Sequence, residues 1–191
     1  MKIFRTLVLL TLGFTLVWVV YCFLTLPKLS GLGNKTRSPS ISVLDQKNNI
    51  IGSLGDVYGG SIEITEVSRY LIDSVIVTED KRFYSHFGLD MRGLGRAIIY
   101  NIKQGRYAQG ASTITQQLSK LIFLNRDKNI SRKMRELMIS FYLEYRFTKQ
   151  EILSMYLNRV YMGSGVYGVK AAAKRYFSKD PSKLSLAESS M

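Results

Sequence analysis

A chain of 191 residues has room for one compact domain plus an anchor and a linker, and is too short for two domains. Its 46% hydrophobic content and three prolines exclude a disordered or low-complexity polypeptide. The net charge of +13, from 27 Lys and Arg against 14 Asp and Glu, calls for a polyanionic partner: nucleic acid, an anionic membrane surface or a phosphorylated substrate. One cysteine, Cys22, excludes a disulfide framework and a cysteine metal site.

From Thr6 to Leu26 run 21 residues without a charge. As a helix they extend about 31 Å, enough to cross a hydrocarbon layer of about 30 Å. The stretch is longer than a signal-peptide core, and no small-x-small cleavage site follows at Tyr21 to Pro27, so residues 1–27 read as an uncleaved anchor. Lys2 and Arg5 before it are offset by Lys28, Lys35 and Arg37 after it, so charge alone leaves the orientation open. Residues 28–40, rich in Gly, Ser and turn formers, suit a flexible tether, and the domain is expected over 41–191.

Two short extended segments, Ile41 to Asp45 and Ile50 to Leu54, flank Gln46-Lys47-Asn48-Asn49 and predict a small β-hairpin. Thereafter the period turns helical. Val67, Leu71, Val75 and Ile76 predict a helix running toward Glu79 and ending between Phe83 and Gly88. Leu94, Ile98, Ile99 and Ile102, with Arg92, Arg96 and Lys103 on another side, predict a basic amphipathic helix that stops at Gly105 and suits an anionic lipid surface. Thr113-Ile114-Thr115-Gln116 matches a capping box, so a helix is expected from Ser112 or Thr113 through Ile122. Further helices fit Ser131 to Arg146 and Lys149 to Val160. No repeat appears, and the domain is expected to be mainly α.

Chemistry concentrates at two glutamates. Glu79-Asp80 closes an apolar helix, a setting where burial raises a carboxyl pKa toward that of a working general base. The plainer alternative is surface ion pairing with Lys81, Arg82 or Arg69. Lys120, Lys128, Arg132, Lys133 and Arg135 form a basic cluster, and Gln116 and Lys120, four apart, share a helix face; converging cations and amides suit a pyrophosphate. Glu136, four residues after Arg132, is placed to be held by those cations, to orient them, or to bind a divalent ion bridging to phosphates; a solvated helix face is the plainer alternative. His86, the one histidine, fits a capping or packing role. The glycines at 105, 110, 163, 165 and 168 make no phosphate loop, and the chain contains no Ser-x-x-Lys.

Five ordered blocks resemble the glycosyltransferase family 51 domain, the peptidoglycan polymerases found alone or fused to penicillin-binding transpeptidases. They are Glu79-Asp80-Lys81-Arg82-Phe83-Tyr84-Ser85-His86-Phe87-Gly88-Leu89-Asp90, Gly110-Ala111-Ser112-Thr113-Ile114-Thr115-Gln116-Gln117, Arg132-Lys133-Met134-Arg135-Glu136, Lys149 through Asn158, and Arg175 through Ser189. The resemblance implies a mainly α, lysozyme-like helical domain behind one N-terminal transmembrane helix. It further implies an inverting enzyme that polymerises lipid II into β-1,4-linked glycan with release of undecaprenyl pyrophosphate. Glu79 would then be the base, Glu136 the organiser of the leaving-group site, and Arg82, Ser112, Gln116, Lys120, Lys128, Arg132 and Arg135 the substrate-binding residues. No cofactor is required by this reading; if Mg or Mn takes part, Glu79 or Glu136 would hold it. Partners implied are lipid II, the growing glycan strand, an anionic membrane and other cell-wall synthesis proteins, with no nucleic acid. The implied location is the bacterial cytoplasmic membrane, single-pass, with the domain on the outer or periplasmic side. A lysozyme-like hydrolase and an inactive membrane scaffold are the alternatives. Domains of the family usually continue past the fifth block with further helix and a Pro-containing segment, so a domain truncated at its C-terminus is expected.

Overall fold

The computed structural model describes residues 2–27, 41–46, 50–54, 57–123 and 129–191. The expected tether and the tip of the expected turn, Lys47 to Asn49, lie outside them, as does Lys128. The chain is mainly helical, as its periodicity predicts. Helix α1 covers Lys2–Leu24, and its segment Phe4–Leu24 is long and apolar enough to cross a membrane. Large apolar side chains along α1, including Phe4, Leu10, Phe14 and Val17, stand exposed, which a helix in a soluble core would not tolerate.

Strands β1 (Ile41–Leu44) and β2 (Ile50–Leu54) pair antiparallel with Ile41 opposite Leu54, the expected hairpin. A second small sheet pairs β3 (Val57–Tyr58) in parallel with β4 (Val166–Tyr167). Helices α2 (Arg69–Glu79), α3 (Met91–Gln104), α4 (Ile114–Phe123), α5 (Ile130–Arg146), α6 (Lys149–Leu157), α7 (Val169–Phe177) and α8 (Leu186–Ser189) complete the chain.

Helix α4 is the centre. Ile114, Leu118 and Ile122 recur every four residues on one stripe and are buried with Phe123, packing with Ile139 and Leu143 of α5 and Ile152, Leu153 and Leu157 of α6. Small side chains let α4 and α5 approach: the Ser119 and Ser140 hydroxyls meet at 3.0 Å, and Ser140 donates back to the carbonyl of Glu136. The capping box is half realised. Thr113 Oγ1 accepts from Gln116 N at 3.2 Å, while its hydroxyl donates to the carbonyl of Gly88, so the helix opens at Ile114. The Gln116 side chain does not return to the cap, because a lysine of α5 claims it.

Asn158, just past α6, fastens the 57–68 segment to the core. Its amide accepts from Ile62 N at 2.9 Å and donates to Ile62 O at 2.8 Å, so the chain there gains the pairing a strand would supply. Gly168, at φ +79, passes so close that a Cβ would lie 2.8 Å from Asn158 O. Asn158→Ala orphans the N–H of Ile62, while Ile62 O keeps the Ser154 hydroxyl at 3.0 Å, and a loss of about 1–3 kcal/mol in urea unfolding is the expected result; an unchanged midpoint would contradict this role.

The predicted amphipathic helix is α3, ending as expected on Gly105 at φ +61. Only Ala97 along it is buried; Ile98, Ile99 and Ile102 face outward beside Arg92, Arg96 and Lys103. Finally, α1 rests on the first turns of α5. Trp18 Nε1 donates to Ser131 Oγ at 3.2 Å, Arg135 Nε donates to Thr25 Oγ1 at 3.2 Å, and Cys22 is buried.

Candidate functional site

Helix α2 ends sooner than its apolar spacing predicts, at Glu79, with Asp80 as a non-helical cap at φ −158 and ψ 77. That break turns two adjacent carboxylates in opposite directions. Asp80 is buried, accepting from His86 Nε2 at 2.9 and 3.0 Å and from the backbone N–H of Ile114, the first residue of α4, at 3.1 Å. Glu79 is exposed, so the buried setting expected for it belongs to its neighbour. Surface ion pairing does not hold it either: Arg69 pairs with Asp73, and Arg82 pairs with Asp90, which also caps α3 through Gly93 N. Instead Gln117 Nε2 donates to Glu79 Oε2 at 2.7 Å, and Tyr156 OH donates to Gln117 Oε1 at 3.2 Å. Burial, with a further push from the charge of Glu79, raises the Tyr156 phenol well above its ordinary value, so it remains a protonated donor.

Glu79 stands on the wall of a cleft of about 320 Å³, with Arg82, Asp90, Arg96, Gln109 and Ser112 around it. Asn101 shapes the far wall by accepting from the N–H groups of Ala108 and Gln109 and donating to Gln109 O.

Ser112 leads from the cleft to the second glutamate. Lys133 Nζ donates to Ser112 Oγ at 3.0 Å, to Gln116 Oε1 at 3.1 Å and to Glu136 Oε1, using all three of its protons. Glu136 is buried, and its other oxygen accepts from Arg132 Nη1 at 2.8 Å. Arg132 Nε is buried without a hydrogen-bond partner, an unused donor in a cationic setting. The solvated-face alternative for Glu136 therefore fails, and the arrangement is a carboxylate set beneath two cations.

Of the residues singled out from the sequence, Ser112, Gln116, Arg132 and Glu136 come together, and Glu79 and Arg82 share the cleft. Lys120 is exposed at the last turn of α4. Arg135 departs from expectation. One position from Glu136, it lies about 100° around α5 and reaches Thr25 beside α1.

Lys133, placed in the basic cluster but given no role, is the hub; its i, i+3 spacing to Glu136 was the available signal. Gln117 carried no local signal, because its partners come from α2 and α6. Successive positions on a helix diverge by about 100°, so Gln116 faces Lys133 while Gln117 faces Glu79. The one helix α4 thus serves both glutamates.

A further, partly buried pair supports the frame: Glu144 accepts from Lys149 Nζ at 2.7 Å and Thr115 Oγ1 at 2.6 Å, and Lys149 Nζ lies 4.5 Å from the centre of the Phe83 ring. As for a metal, no group of three His, Cys, Asp or Glu among the described residues converges, and both oxygens of Glu136 already face cations.

The model of the family described as Transglycosylase matches residues 47–191. Penicillin-binding protein 1A of Aquifex aeolicus is 38% identical over 92% of this chain and 24% of its own length. For penicillin-binding protein 1A of Vibrio cholerae the identity is 37% over 96% and 22%, and for penicillin-binding protein 1F of Bacillus subtilis it is 41% over 78% and 21%. The chain spans about a quarter or less of these relatives.

Proposed function

The chain belongs to the transglycosylase family, and from that premise we propose that it is a membrane-anchored peptidoglycan glycosyltransferase using lipid II. One observation carries the reading: an exposed carboxylate, Glu79, steadied by an amide on the wall of a polar cleft, is joined through Ser112 to the cation-topped carboxylate Glu136.

The chemistry follows from those two ends. Glu79 takes the proton of the 4-hydroxyl on one lipid-linked disaccharide. The resulting oxygen attacks the anomeric carbon of the growing chain as the bond from that carbon to the pyrophosphate oxygen breaks. Undecaprenyl pyrophosphate leaves with the electron pair, and its charge is balanced by the positive charges of Arg132 and Lys133, with Lys120 of the same basic cluster in the sequence. One displacement inverts the α donor to a β-1,4 product, so a base and leaving-group stabilisation suffice without a nucleophilic carboxylate.

The membrane side of the reading rests on α1 and on the outward apolar face of α3 with its flanking cations, which suit the surface of an anionic bilayer. The proposed location is the bacterial cytoplasmic membrane with the domain on its outer face, where lipid II, the growing strand and other cell-wall synthesis proteins are met.

A polymerisation assay with labelled lipid II tests this directly. Growing glycan is expected; shortened glycan would point to a hydrolase, and binding without turnover to a scaffold. Lys120→Ala, which removes an exposed cation, is expected to lower kcat/KM by about tenfold with the melting temperature unchanged. A wild-type rate would remove Lys120 from the leaving-group site.

A further inference from the structure

We propose that Tyr156 and Gln117 form a positioning relay that holds one oxygen of Glu79 and leaves the other for the acceptor hydroxyl, an inference that rests on Glu79 being the base.

The need for such a device comes from the backbone. Glu79 is the last residue of α2, its side chain is exposed, and a glutamate there samples several rotamers. A general base acts only within hydrogen-bond reach of the proton it takes. Gln117 Nε2, at 2.7 Å from Oε2, removes much of that freedom.

An amide, however, can turn either end toward a partner, because its oxygen and nitrogen are alike in size. Oε1 turned toward Glu79 would set two acceptors face to face. The carboxylate, an acceptor only, selects the Nε2 end, and the Tyr156 hydroxyl, donating to the Oε1 that is then turned toward it, anchors the amide in that orientation. The tyrosine is itself immobile. It lies at the eighth position of α6, is 3% exposed, and packs in the main core. Core rigidity is thereby passed through two side chains to a surface carboxylate.

Neither residue touches the reacting atoms in this scheme; both act through Glu79. A structural role alone would tie α4 to α6 and show itself in stability, whereas a positioning role shows itself in turnover.

Tyr156→Phe keeps the ring and removes the hydroxyl. In the lipid II polymerisation assay on the whole chain, kcat is expected to fall about tenfold with KM within about twofold. Gln117→Met is expected to lower kcat by as much or more. Tyr156→Phe added to Gln117→Met should change nothing further, since one chain of contacts is already broken.

Wild-type kcat in Tyr156→Phe, or effects that multiply in the double variant, overturn the relay. A lowered melting temperature with wild-type kcat in the folded fraction overturns it equally. Glu79→Gln run alongside separates the two layers: loss of turnover there with full activity in Tyr156→Phe removes the relay alone, and retained turnover in Glu79→Gln removes the base and the relay with it.

Discussion

Glu79→Gln is expected to abolish glycan polymerisation, with turnover falling at least about 100-fold, while binding of lipid II stays within about twofold of wild type. The substitution retains the side chain's length and its capacity to accept from Gln117 Nε2, so the cleft wall keeps its shape. What disappears is the ability to take a proton. Because Glu79 is exposed and ends a helix rather than filling a core, the melting temperature should hold. Binding by filtration or fluorescence and turnover by labelled product are measured on the same preparation. Turnover near that of wild type would remove Glu79 from the reaction.

The second large effect is expected at Glu136, and it is of two kinds. Glu136→Gln removes the negative charge beneath Arg132 and Lys133 from a buried position. Hydrogen bonds to charged groups contribute about 1.5–3 kcal/mol, so stability should fall by about that much for the better buried Arg132 contact, with Lys133, half exposed, adding little. Turnover should fall about 100-fold further than stability explains, because the two cations lose their alignment toward the leaving pyrophosphate. On the proposed reading the effect should concentrate in use of the donor, the growing chain whose pyrophosphate leaves, and spare the acceptor, whose hydroxyl that reading assigns to Glu79. Denaturant unfolding and donor-dependence of the rate separate the parts. A variant that is destabilised yet turns over normally once folded would make Glu136 a scaffold residue only.

These two glutamates show how far the residues could be read before the chain was folded. Periodicity and caps located helices α2 to α6, a polar turn the hairpin, and an uncharged run the apolar helix α1, because each is set along a single segment. Arg132 and Glu136, four apart on one helix, were placed together by the same arithmetic, and the fold joins them. Errors arose where local rules met tertiary competition. Gln116 fits a capping box but is held by Lys133, whose charged donor outcompetes a backbone N–H for the amide oxygen. Arg135 belongs to a basic cluster in sequence and to the α1 contact in space. Glu79 was expected to be buried and is exposed, because α2 breaks at Asp80 and it is Asp80 whose carboxylate the start of α4 and His86 draw inward.

Chain order and composition alone determined that a charge-free span precedes a basic, mainly helical domain carrying two motif glutamates, since apolar length, helical period and net charge are properties of a linear string. Tertiary structure alone decided that Gln117 and Tyr156 stand behind Glu79, that Lys133 spans Ser112, Gln116 and Glu136, and that α4 serves both ends of the site. Those contacts join residues up to 39 positions apart across four helices. Their geometry is set by how α2, α5 and α6 pack around α4, and no single segment carries it.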